Sequence, residues 1–261
     1  MKYGFIGCGN MGGALAAALA KATDGIILSD SGSGRAAKLA KELGVKSGTP
    51  AEAASCERVF LAVKPQDMAA VIASVADELH RAKPVVISMA AGITLAAIDG
   101  MIGESLPVIR IMPNTPVKVG CGVVLVSANG AVSAEVEADF LDDMKHAGTT
   151  DVIPEALMDA GCAVAGCGPA FAYMMIEALA DGAVSCGLPR DKAVRYAAAM
   201  LAGSAEMVVE TGTNPAALKD AVCSPGGSTI AGVRALEEAG FRAAVLDAVI
   251  ASFERNRELG K

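Results

Sequence analysis

The sequence predicts an α/β fold: a parallel sheet wrapped by helices, followed by an all-helical segment. Three observations predict it. From Met1 to about Ile153, short apolar runs alternate with helical stretches, as in a sheet covered on both faces. After Pro154 the strand pattern stops and long alanine-rich helices follow. The chain also opens on an apolar run that passes through closely spaced glycines directly into a helix.

That opening organises the rest. Lys2-Tyr3-Gly4-Phe5-Ile6 reads as a buried strand, Gly7-Cys8-Gly9-Asn10-Met11-Gly12 as a G-x-G-x-x-G turn, and Gly13 to Ala22 as a helix. Strand, glycine turn and helix together form a dinucleotide-binding fingerprint. The first glycine allows the tight turn and the second lets backbone approach a pyrophosphate. The third brings the helix against the strand, with its first amides aimed at the phosphates.

The later elements follow in order. Gly25 to Ser29 is a second strand, followed by the loop Asp30-Ser31-Gly32-Ser33-Gly34-Arg35 and a helix to Leu43. Val59 to Val63 is a strand ending at Lys64-Pro65-Gln66, and Asp67 to Leu79 a helix. Val85 to Ser88 ends in Met89-Ala90-Ala91-Gly92, and Val108 to Met112 ends in Pro113-Asn114-Thr115-Pro116. Val123 to Val126 is one more strand, and Ser133 to Ala147 a surface helix. Ligands of such sheets bind beyond the carboxyl ends of the strands. Ala62, Val63, Lys64, Pro65, Ala90, Ala91, Gly92 and Asn114 are therefore candidates for lining the cofactor.

The end of the second strand is where the adenosine ribose is read. Asp30 lies eighteen positions after Gly12, where a carboxylate accepts from a 2′-hydroxyl and repels a 2′-phosphate. Ser31, Ser33 and Arg35 offer a phosphate cradle in the same loop, so NADH and NADPH both stay open. A cap on the turn is the plainer reading of Asp30.

Helices are expected over Ala170–Cys186, Asp191–Thr211, Pro215–Val222, Thr229–Ala239 and Arg242–Leu259, and the domains over 1–153 and 154–261. The first of these helices is apolar almost all round and must be enclosed, in its own domain or against another subunit. With three Tyr, six Phe and no Trp to build a core, an intertwined homodimer is the better expectation. The stretch Ala160–Ala180 is apolar but carries Gly166, Gly168, Pro169 and Glu177, and is read as a buried soluble helix and the turn before it, not a membrane span.

Composition narrows the function. A net charge of −7 with scattered Lys and Arg speaks against nucleic acid. Seven cysteines without paired spacing point to reduced thiols and a cytoplasmic protein. Two histidines and no C-x-x-C pair speak against a metal. From Glu155 to Pro189 there is no Lys, Arg or His, so a dehydrogenase working on a hydroxyl would lack its base. His80 and His146 read as solvated. An acceptor that already carries its proton, such as an iminium, suits this chain. The stretch Ser224-Pro225-Gly226-Gly227-Ser228-Thr229 then offers a carboxylate pocket without a cation, built from free amides at a helix start.

Ser224-Pro225-Gly226-Gly227-Ser228-Thr229-Ile230, preceded by Leu218-Lys219-Asp220, resembles the signature of the pyrroline-5-carboxylate reductase family. The likeness extends through Gly7–Gly12, Ala62–Gln66, Ala90–Gly92, Met112–Pro116, Gly166–Ala170 and Gly187–Pro189, in the family's order over essentially the whole chain. It implies a Rossmann domain, a helical dimerisation domain, and dimers assembled to a decamer. It also implies reduction of 1-pyrroline-5-carboxylate to L-proline by NADH or NADPH, the final step of proline biosynthesis. The substrate loop falls on Gly226, Gly227, Ser228 and Thr229, with the Thr229 hydroxyl at the ring nitrogen. Thr49 stands near where many members place an Asn beside the adenine, and Ser228 where Thr or Ala is common. Lys64 either adds positive potential near the cofactor or is solvated.

Overall fold

The computed structural model describes residues 1–103 and 105–259. The elements open with β1 (Tyr3–Ile6), α1 (Asn10–Leu19), β2 (Ile26–Ser29), α2 (Arg35–Leu43), β3 (Lys46–Ser47), α3 (Pro50–Ala54) and β4 (Arg58–Leu61). They continue with α4 (Met68–Ser74), α5 (Ala76–Ala82), β5 (Val85–Ser88), α6 (Leu95–Ile102), β6 (Val108–Pro113), β7 (Gly122–Ala128), α7 (Ala134–Met144) and β8 (Gly148–Val152).

The strands form one sheet in the order β3-β2-β1-β4-β5-β6-β7-β8. All neighbours are parallel except β6 and β7, which are antiparallel. The six expected strands are present, and two more flank them at the edges. β3 escaped the sequence reading because it is a two-residue exposed strand, Lys46-Ser47. β8 escaped because Gly-Thr-Thr-Asp-Val carries no apolar run.

Consecutive residues of each central strand point to opposite faces, and both faces are covered. Phe5, Leu28, Phe60, Ile87 and Ile109 pack with Leu15 and Leu19 of α1 and Phe140 of α7. Ile6, Ile27, Leu61, Val86 and Val108 pack with Ile72 and Leu79 and with Ile98 of α6. The Phe5 and Phe60 rings stack at 4.3 Å between centroids. Burial on both faces explains why these strands read as continuous apolar runs.

The other end of the sheet is closed by charge. Arg58 of β4 is buried and pairs with Asp143 at 3.1 Å and Asp139 at 3.3 Å, both on α7. Lys2 reaches Asp143 at 2.6 Å, and the Tyr3 hydroxyl donates to the same carboxylate. Burial pushes the Asp143 carboxyl up, but hydrogen bonds from Lys2 and Tyr3 and the charges of Lys2 and Arg58 hold it below its ordinary value.

From Glu155 to Ser185 the chain is one helical run, including α8 (Met158–Gly161), a π turn (Cys162–Gly166) and α9 (Gly168–Ser185). The sequence reading placed a turn before a buried helix here. The structure instead continues the helix, using the wider π turn to pass the two glycines. By length and composition this is one helix long and apolar enough to cross a membrane. Of α9 only Ala180 is buried within the chain, while Tyr173 and Met174 are 59% and 68% exposed.

α10 (Arg190–Thr211), α11 (Pro215–Ala221), α12 (Ser228–Glu238) and α13 (Phe241–Leu259) complete the chain. Two compact units emerge: Met1–Cys167 with the chain's end from Ser252, and Gly168–Ala251. Within the first unit, α8 and the π turn pack on β6 and β7 through Met112, Leu125, Met158 and Cys162.

Candidate active site

In the first unit, β1, β2, β4, β5 and β6 end on the same edge of the sheet. The strand order reverses direction between β1 and β4, and this switch point is where doubly wound sheets open a crevice. The glycine turn after β1 lies here. Gly7 has φ +107°, and a Cβ on it would meet the Ala62 carbonyl oxygen at 2.4 Å and Val63 at 3.2 Å. A Cβ on Gly12 would lie 2.4 Å from the Gly7 oxygen and 2.8 Å from the Ala62 side chain. The turn is thus pressed onto Ala62 and Val63.

Gly9 is different, since a Cβ there would meet nothing within 4 Å. It is the N-cap of α1, with no side-chain acceptor for the helix's first amides. By contrast, Thr49, Thr94, Ser133 and Asn214 cap α3, α6, α7 and α11 with their own side chains. Free amides, a helix dipole and open space above a glycine fit the pyrophosphate of a dinucleotide. Between Gly7 and Gly9, Cys8 is buried, and its thiol faces the Ser29 carbonyl oxygen at 3.4 Å. Burial, then the Asp30 charge, push that thiol up to about 11.

The remaining expected cofactor residues divide into exposed and engaged. Ser31, Arg35, Lys64, Pro65 and Ala91 are exposed, while Ala90 is buried and Ala62, Val63 and Gly92 are half-buried. Asp30 turns its carboxylate into its own loop and caps it. Thr49 accepts from the Glu52 amide at 3.2 Å, and its own N–H donates to the Glu52 carboxylate at 2.8 Å, a capping box. Asn114 is buried and doubly engaged: its Oδ1 accepts from Val123 N–H and its Nδ2 donates to the Ala165 oxygen, each at 2.9 Å. It thereby ties the end of β6 to the π turn.

Two further residues shape this edge. Arg110 of β6 is buried and pairs with Glu155 at 2.9 Å, and the same Glu155 oxygen accepts from Leu95 N–H at 2.7 Å. The pair pins the start of α6, next to the Ala90–Gly92 loop. The signal was an arginine between two isoleucines of an apolar strand, which demands a buried partner. His80 is exposed, as expected, and its Nε2 lies 2.9 Å from the Ile102 oxygen at the end of α6.

In the second unit, Gly226 has φ +68° and Gly227 is the N-cap of α12, again with no side-chain acceptor. The Gly227 N–H closes the turn onto the Ser224 oxygen at 3.0 Å. Gly226, Ser228 and Thr229 are exposed. The expected substrate loop is therefore an uncapped helix start flanked by two hydroxyls.

The fold and these features define a nicotinamide-dependent oxidoreductase with a Rossmann domain and a helical dimerisation domain. Residues 155–259 match the pyrroline-5-carboxylate reductase dimerisation family, and residues 2–92 the family described as NADP oxidoreductase, coenzyme F420-dependent. The pyrroline-5-carboxylate reductase of Escherichia coli is 41% identical over 268 aligned residues, spanning 100% of this chain and 98% of that protein. The Synechocystis reductase is 42% identical, covering 100% and 99%. Among solved structures, the Plasmodium falciparum reductase with NADP bound has a TM-score of 0.88 at 30% identity, covering 100% of this chain and 98% of that one. The Streptococcus pyogenes reductase has a TM-score of 0.88 at 33% identity, covering 99% and 98%. The chain belongs to the pyrroline-5-carboxylate reductase family.

Proposed function

We infer that this chain reduces 1-pyrroline-5-carboxylate to L-proline with NADH or NADPH, the final step of proline biosynthesis. One observation of the chain itself supports this most: α1 and α12 both begin at a glycine with no side-chain cap, leaving two sets of amides for two anionic ligands. Gly7, Gly9, Asn10, Met11 and Gly12 hold the pyrophosphate. Asp30, Ser31 and Arg35 face the adenosine ribose, and Thr49 stands beside the adenine. Ala62, Val63, Lys64, Pro65, Ala90, Ala91, Gly92 and Asn114 line the rest of the coenzyme, which when bound supplies the hydride.

Gly226, Gly227, Ser228 and Thr229 grip the substrate carboxylate, and the Thr229 hydroxyl orients the ring nitrogen. The protonated C=N bond takes hydride at carbon without a further proton donor. The chain's part is therefore positioning, a large share of such a rate enhancement. Lys64 adds positive potential beside the coenzyme. Residues 1–153 serve the coenzyme, and 154–261 dimerisation and substrate. The exposed apolar side chains of α9 and α10, Tyr173, Met174 and Tyr196 among them, are the surface that a second copy covers. Dimers assemble to a decamer in the cytoplasm, without membrane or nucleic acid. Purified protein is expected to oxidise NADH or NADPH only after pyrroline-5-carboxylate is added. No turnover with either coenzyme rejects the assignment.

A further inference from the structure

The coenzyme reading leaves open which coenzyme the chain selects, and the inference here rests on that reading. Asp30 follows β2, and its carboxylate points into the β2–α2 loop. Its Oδ1 accepts from Gly32 N–H at 2.9 Å. Its Oδ2 accepts from the Ser33 hydroxyl and from Ala36 N–H, both at 2.8 Å. Ala36 lies in the first turn of α2, whose N-cap, Gly34, brings no acceptor of its own. These hydrogen bonds, that of Ala36 foremost, hold the Asp30 carboxyl below the usual range, so it carries its charge at neutral pH.

A 2′-phosphate at the end of a second strand needs loop amides, a hydroxyl donor and no like charge nearby. In this loop two amides and one hydroxyl are already committed to a carboxylate. The donors left on side chains are Ser31 and Arg35, both exposed, where water and salt weaken the pull of a guanidinium. A 2′-hydroxyl asks for much less. Oδ1 accepts one of these loop bonds and Oδ2 two, so Oδ1 is the oxygen that a hydroxyl would share. We propose that Asp30 is a built-in anion occupying the donors a 2′-phosphate would require, and that it makes the chain selective for NADH over NADPH.

The test uses the full-length protein and two readouts. Calorimetric titration compares AMP with adenosine 2′,5′-bisphosphate, which differ only in the 2′-phosphate. Steady-state kinetics with pyrroline-5-carboxylate compare kcat/KM for NADH and NADPH. Wild-type protein is expected to favour AMP and NADH by about tenfold or more, given a fixed charge facing a phosphate of nearly two charges. Asp30→Asn keeps an acceptor for the loop amides but removes the charge, and is expected to shrink both ratios by roughly tenfold. A wild-type protein that binds the bisphosphate as well as AMP, or ratios unchanged in Asp30→Asn, overturns the proposal. Should the variant bind neither nucleotide, the wild-type ratios decide alone. AMP selectivity without turnover on either coenzyme would uphold the role of Asp30 and reject the reaction instead.

Discussion

The glycine turn permits a test in which folding and coenzyme binding separate. Gly9→Ala places a methyl where the chain has nothing within 4 Å, at φ −70°, which alanine adopts freely. Its cost to folding is that of a poorer N-cap, about 0.5–1 kcal/mol. Gly12→Ala places a methyl 2.4 Å from the Gly7 carbonyl oxygen, which is backbone and has little room to move. Overpacking of this kind costs about 1–3 kcal/mol, and at roughly 2–4 °C per kcal/mol for a chain of this size lowers Tm by about 2–12 °C. For binding, the Gly9 methyl meets the pyrophosphate that the open space admits. A close contact of about 1.4 kcal/mol or more raises the NADH Kd by about tenfold or more. Thermal denaturation followed by circular dichroism and titration of NADH fluorescence measure the two effects. A Gly9→Ala protein with wild-type Kd would refute the placement of the phosphates over Gly9, whatever its Tm.

Other expectations follow the same logic. Thr229→Ala is expected to lower kcat by about tenfold or more, from a lost hydrogen bond worth about 1–3 kcal/mol, with little change in NADH affinity; unchanged steady-state kinetics would remove Thr229 from the mechanism. Asp143→Ala strips the buried Arg58 of its better-shielded partner and is expected to cost about 2–4 kcal/mol in urea unfolding at pH 7. Because the folded Asp143 carboxyl lies below its ordinary value of about 3.9, that contribution is complete above this value and fades as pH falls below it. A gap between variant and wild type that stays constant from pH 7 to pH 3 would contradict the assignment. Met174→Asp, on the exposed face of α9, is expected to give monomers in sedimentation velocity, and an unchanged dimer would place the interface elsewhere.

Much of this architecture was legible because its signals are local. Val59–Val63 and Val85–Ser88 announce strands by continuous apolar runs, and the glycine turn between β1 and α1 announces itself by spacing. What stayed hidden depends on partners distant in sequence. Nothing around Asn114 foretells that its amide will bond Val123 and Ala165. Asp30 reads as a ribose acceptor or as a turn cap, and the hydrogen bonds that engage it within its own loop depend on a backbone path the sequence does not display. Lys46-Ser47 pairs with β2 through main chain alone, so its side chains carried no strand signal. The reversal of β7 against β6 was likewise invisible, since an apolar run does not record its direction.

Cys8 has a practical consequence. With its thiol near 11, roughly one molecule in ten thousand is ionised there at pH 7. Electrophiles such as iodoacetamide will find Cys121 and Cys186, which are exposed, long before they reach the turn. The glycine turn is thus built around a sulfur of low reactivity, and if the turn holds the coenzyme as proposed, alkylation of the exposed thiols is expected to leave coenzyme binding intact.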